Sequence, residues 1–153
     1  ENPCLAQLIN AFKKHKRSVI ALEEVPKIDV RRYGVIAGEC IENRTYKISN
    51  IVEKPSPQKA PSRLAIVGRY IVTHDIFDAL KKVKKTKYGE IHFSQALALI
   101  LQTQEVMGYK FEGERYDCGS KYGFLKATVD FALTHKDLNG QFKRFLKEKA
   151  RAL

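Results

Sequence analysis

Cysteine is scarce in this sequence, and acidic residues are in the minority. Cys4, Cys40 and Cys118 are an odd number, far apart, with no C-x-x-C pair, which argues against a disulfide framework and against a zinc site. Reduced thiols are the expectation. The four histidines, His15, His74, His92 and His135, share no ligand spacing, so no metal centre or catalytic imidazole is indicated among them. Long apolar runs are also missing. None approaches the roughly 20 residues that a membrane-spanning helix needs, and Glu1 to Leu8 lacks the basic start and apolar stretch of a signal peptide. Together these absences place the protein in the cytoplasm, away from membranes. Internal repeats and low-complexity segments are absent as well.

What is present is enough for one core: 153 residues, 44% of them hydrophobic. The 28 lysines and arginines against 17 aspartates and glutamates leave a formal charge of +11, which attracts phosphates of any kind, nucleic acid included. The cations concentrate in 13–17, 81–85 and the C-terminal tail, where they read as helix ends and solvated helix faces rather than a nucleic-acid surface.

Along the chain, Asn2 and Pro3 read as the N-cap and first residue of a helix presenting Leu5, Leu8, Ile9 and Phe12. Ser18 to Leu22 suits a buried strand. Gly34–Ile41 and Thr45–Val52 form a hairpin across Glu42-Asn43-Arg44, followed by a proline-rich loop over 54–61. Leu64–Val72 is a strand, after which Thr73 is expected to cap a helix bearing Ile76, Phe77 and Leu80, closed by Lys81 to Lys87. Beyond Tyr88-Gly89-Glu90, a further helix carries Phe93, Ala96, Leu97, Ile100 and Leu101. Val106–Phe111 and Arg115–Cys118 read as paired strands around Glu112-Gly113-Glu114, and Ser120 opens a helical end with stripes at Phe124/Ala127/Thr128/Phe131 and Phe142/Phe145/Leu146. The fold class is α/β: a mixed sheet flanked by helices, with a helical C-terminal appendage.

Four segments carry more than local structure: Arg32-Tyr33-Gly34-Val35, Ile51-Val52-Glu53-Lys54-Pro55, the run from Ala60 to Tyr70 that ends Ala65-Ile66-Val67-Gly68-Arg69-Tyr70, and the run from Arg115 to Gly123 around Asp117-Cys118-Gly119. Their order and spacing resemble the bacterial UTP:glucose-1-phosphate uridylyltransferases across nearly the whole chain. Thymidylyl- and adenylyltransferases acting on glucose 1-phosphate share the Y-G-V and V-E-K-P elements and remain the alternative, with a basic nucleic-acid-binding module as a reading from another class. A-I-V-G-R-Y and D-C-G favour the uridylyl group.

The resemblance implies a Rossmann-like nucleotidyltransferase fold and the joining of UTP and glucose 1-phosphate into UDP-glucose, with release of pyrophosphate and with Mg2+ required. It implies that Glu53 accepts hydrogen bonds from adjacent sugar hydroxyls and that Lys54 is the catalytic cation on the phosphate. Consecutive strand residues point to opposite faces, so the two can serve one ligand only if the strand ends or twists there, for which Pro55 is the apparent device. Gly34 would offer its backbone to the sugar, and Val67-Gly68 a second wall, although either glycine can equally serve a turn or bulge. Asp117 resembles a metal-facing carboxylate, with a turn or N-cap aspartate as its structural alternative.

The G-x-G-T-R loop, the lysine-bearing segment after it and the L-P-D-D motif of that family do not occur in this sequence. Residues 1–153 therefore read as the sugar-phosphate-binding C-terminal portion of such an enzyme, expected to reach UTP only through an N-terminal portion and to form homo-oligomers. Two departures stand inside the matched region. Arg63 replaces an asparagine, and Gln95 replaces the aspartate of a G-E-I-Q-L-T-D-A run that reads here Gly89-Glu90-Ile91-His92-Phe93-Ser94-Gln95-Ala96.

Overall fold

The computed structural model describes residues 2–85 and 89–152, so the expectations for Lys87 and Tyr88 lie outside the described residues. The element order is α1 (Cys4–His15), β1 (Ser18–Glu24), a 3-10 turn (Lys27–Arg32), β2 (Gly34–Glu42), β3 (Thr45–Glu53), β4 (Leu64–Ile71), α2 (Ile76–Lys82), α3 (Phe93–Ile100), β5 (Val106–Lys110), α4 (Lys121–Thr134) and α5 (Asn139–Ala150). Two compact units divide the chain, 1–113 and 114–153.

In the first unit the five strands close on themselves in the order β1-β4-β2-β3-β5. All pairings are antiparallel except β1 with β5, which makes the sheet mixed as expected, though its closure was not anticipated. β1 is buried on both faces. Ile20 and Leu22 join Ile36, Ile48, Ile51 and Ile66 in a core shared with Ile76 of α2 and Leu97 and Ile100 of α3. Val19 and Ala21 point the other way, to Val67, Met107 and the α1 residues Leu8 and Ala11. This alternation is the period-2 geometry of a strand sandwiched between helix layers.

Three local expectations are corrected. Pro3 occupies the cap position of α1 with no side-chain cap, and Asn2 instead offers its carbonyl to Gln7 Nε2 at 2.7 Å. The buried stripe of α1 is Gln7, Leu8 and Ala11, while Leu5 and Ile9 are exposed. Gln7 displaces the apolar residues because it ties the helix to the end of β5. Its Nε2 donates to the Glu112 carbonyl and its Oε1 accepts from the Glu112 N–H, both at 2.8 Å, so this buried amide is fully paired. At α2, Asp75 stands at the cap, and Thr73 supplies its carbonyl to Ile76 N and its hydroxyl to Asp75 Oδ2.

A further correction is the strand expected at Arg115–Cys118, which does not form. β5 already has β1 on one side and β3 on the other, so no edge is left to pair with it. The chain leaves the sheet through Gly113, at φ +127, and enters the second unit. There the helix opens at Ser120 as expected, and Ser120 rather than Asp117 is its N-cap, the Oγ accepting from Gly123 N at 3.0 Å. Of the α4 stripe only Ala127 is buried, with Phe124 and Phe131 exposed, while Phe142 and Phe145 of α5 stack at 6.0 Å.

Arg63 is accounted for by an ion pair with Glu24, which also accepts from Lys110 Nζ at 3.2 Å. The hydrogen bond from Lys110, followed by the positive charge of Arg63, holds the Glu24 carboxyl below the usual carboxylate range. A carboxyl lowered in the folded state contributes stability above its unfolded pKa and loses it as pH falls through the folded value. Glu24→Gln is therefore expected to destabilise the fold at pH 7 by the small amount typical of exposed pairs, under about 1 kcal/mol, and so to lower the melting temperature slightly. Thermal scans should show that difference vanishing in acid, below the carboxylate range; a difference independent of pH would remove the ion pairs as its cause.

Candidate functional site

Glu53 is the last residue of β3, and its partner across the ladder is Gly34, the first of β2. The next residue, Lys54, has φ +45 and donates its N–H to the Tyr33 carbonyl at 3.0 Å. A lysine in the left-handed region costs on the order of 1–2 kcal/mol, and such strain concentrates at functional positions. The strand ends here as expected, and this kink at the residue before Pro55 ends the alternation of faces. It brings Lys54 Nζ to 3.9 Å from Glu53 Oε1, with the two side chains 54% and 26% exposed. At that separation the pair is too loose to serve as a structural bridge, so both charges remain able to meet a ligand.

The other carboxylate oxygen is held. Ser94 Oγ, in the first turn of α3, donates to Glu53 Oε2 at 2.7 Å. A Cβ on Gly34 would lie 3.1 Å from that same oxygen, 3.4 Å from Ile66 Cδ1 and 3.6 Å from Ser94 Cβ, so a glycine is what leaves the carboxylate room. Tyr70 of β4 tilts against Phe93, ring centroids 4.7 Å apart. Burial raises its phenol pKa, and the negative charge of Glu53 adds to the rise.

The remaining expected residues fall in different places. Gly68 has φ +28 with nothing within 4 Å of where a Cβ would be, so its glycine serves the backbone conformation and borders open space. The Val67 side chain is buried in the cluster under α1, which leaves only its backbone to form a wall. Asp117 lies in the second unit, where Oδ1 accepts from Gly119 N at 3.2 Å and its carbonyl accepts from Ser120, the turn role weighed as its alternative. Among the described residues there is no group of three or more His, Cys, Asp or Glu able to hold a metal. A cleft of about 310 Å3 between α1 and the β2–β3 turn is lined by Gln7, Asn10, Lys14, His15 and Glu42 and by none of the site residues.

A family model described as nucleotidyl transferase matches residues 2–133. The chain belongs to the nucleotidyl transferase family. This nucleotidyl transferase chain is similar to the UTP--glucose-1-phosphate uridylyltransferase of Pseudomonas aeruginosa, 44% identical over 81% of this chain and 44% of the relative. It is also similar to the protein of the same name from Staphylococcus epidermidis, 39% identical over 97% of this chain and 51% of that one. Among solved structures, a UDP-glucose pyrophosphorylase complexed with UDP-glucose superposes with a TM-score of 0.80 at 40% identity, over 85% of this chain and 49% of that chain. The chain thus spans about half the length of the curated relatives it matches. No helix among the described residues is long and apolar enough to cross a membrane.

Proposed function

We propose that this chain supplies the sugar-phosphate side of uridylyl transfer from UTP to glucose 1-phosphate. The observation that carries the reading is the convergence of Glu53 and Lys54, adjacent in sequence yet 3.9 Å apart at their charged ends, beside Gly34. In this scheme a phosphate oxygen of glucose 1-phosphate attacks the α-phosphorus of UTP in line. The bond to the β-phosphate bridging oxygen breaks, and pyrophosphate leaves. No protein nucleophile is required. Glu53 fixes the sugar through its hydroxyls, and the Lys54 ammonium offsets negative charge on the phosphate, so catalysis is mostly positioning and charge compensation.

The family's divalent metal is proposed to be Mg2+, which takes one or two carboxylates together with phosphate oxygens and waters. Asp117 fits that pattern as a single carboxylate ligand, since among the described residues no group of three or more His, Cys, Asp or Glu could hold the ion alone. Bound Mg2+ would neutralise charge on the triphosphate. The reading further includes a cytoplasmic protein, a homo-oligomer, and UTP contacts made outside this chain's own residues. Exposed Tyr122, Phe124, Leu125 and Phe131 on α4 support the oligomer.

Calorimetric titration of the chain with glucose 1-phosphate and with glucose 6-phosphate tests the proposal. Preference for the 1-phosphate is expected, since Glu53 and Lys54 reach one sugar and one ester at fixed separation. Equal affinity, or heat from neither, would overturn it. A thymidylyl- or adenylyltransferase shares this half-reaction and would separate only in nucleotide competition assays on a protein containing the nucleotide-binding segments.

A further inference from the structure

We infer that Ser94 is a positioning residue for the sugar-recognising carboxylate, and that its hydroxyl, from a helix 41 residues further along the chain, sets how Glu53 presents itself to the sugar. This rests on the proposed reading of Glu53 and extends it to a residue outside the four motifs. Ser94 Oγ donates to Oε2 at 2.7 Å, the distance of a charge-assisted bond, whereas Oε1 faces Lys54 at 3.9 Å. The two oxygens are thereby differentiated. Oε2 lies against Gly34 and Ser94, and Oε1 is the oxygen nearer the Lys54 ammonium.

Glu53 needs such a restraint. It is the terminal residue of β3, and the left-handed Lys54 that follows ends the strand, so the regular strand geometry stops at its own position. A glutamate side chain with three free torsions would spend most of its time away from one orientation, and freezing them before the ligand arrives improves affinity without any new ligand contact. The serine, unlike a lysine or arginine, does this without neutralising the carboxylate. Its Cβ sits close enough to the Gly34 backbone that α3, β2 and β3 meet on one oxygen.

The test compares wild type, Ser94→Ala and Ser94→Thr in the full chain, with glucose 1-phosphate and inorganic phosphate as two separate ligands. Ser94→Ala is expected to weaken glucose 1-phosphate about tenfold while leaving phosphate affinity, which depends on Lys54, unchanged. Ser94→Thr retains the hydroxyl and should restore the sugar phosphate to near wild type. If the alanine variant loses both ligands alike, the residue is merely structural and the inference falls. Should wild type and Ser94→Ala bind the sugar phosphate equally, the inference falls while the functional reading stands. Absence of binding by wild type itself would overturn both.

Discussion

Glu53→Gln is expected to reduce affinity for glucose 1-phosphate by roughly 10- to 100-fold, the loss that follows from removing a charge-assisted hydrogen-bond acceptor. Glutamine preserves volume, and its carbonyl can still accept from Ser94, so the comparison isolates the charge and the second acceptor oxygen. Thermal stability should be nearly unaffected, because the Glu53–Lys54 pair at 3.9 Å contributes little to the fold. Lys54→Ala should differ in kind. It is expected to weaken glucose 1-phosphate and inorganic phosphate together, since the ammonium reads the ester and not the sugar. Titration calorimetry on both variants with both ligands separates the roles, and identical losses across all four combinations would mean that the two residues do not divide sugar from phosphate.

Leu22→Ala should have the largest effect on stability, about 2–5 kcal/mol, a substantial share of the roughly 5–15 kcal/mol typical of a domain. Leu22 is fully buried in the main core. Gly108 on β5 faces it: a Cβ there would lie 2.4 Å from Leu22 Cδ1 and 3.4 Å from Ile48 Cδ1. Gly108→Ala alone is therefore expected to cost about 1–3 kcal/mol by overpacking. In the Leu22→Ala background the same methyl enters the vacated space, so the double variant should lose less than the sum of the single losses. Urea unfolding followed by circular dichroism gives all four free energies; strict additivity would show that the two positions do not share space.

The hairpin, the proline-rich loop, the buried β1 strand and the helix start at Ser120 were legible because each is written in a short window by alternation, missing donors or a turn followed by helical spacing. Long-range competition was not. Nothing within Arg115–Cys118 reveals that both sides of β5 are already occupied, and that occupancy is why the segment stays out of the sheet. The helical stripe of α1 misled in the same way, since the partner that buries Gln7 is the backbone of Glu112. At the site, the adjacent acid and base were readable and so was the break in the strand before Pro55, but the left-handed conformation of Lys54 at that break was not. Ser94 was passed over because its run drew notice only for Gln95. A hydroxyl in the first turn of a helix reads equally well as an ordinary surface serine, and only the fold supplies its carboxylate.

The five strands form a ring, but β2 meets β4 through the single pair Val35↔Ala65, so the ring is thinnest there. That seam is where backbone groups of β2 and β4 stand beyond the reach of each other's ladder. Association between copies through the exposed aromatic side chains of α4 should respond to substitution at Phe124 or Phe131.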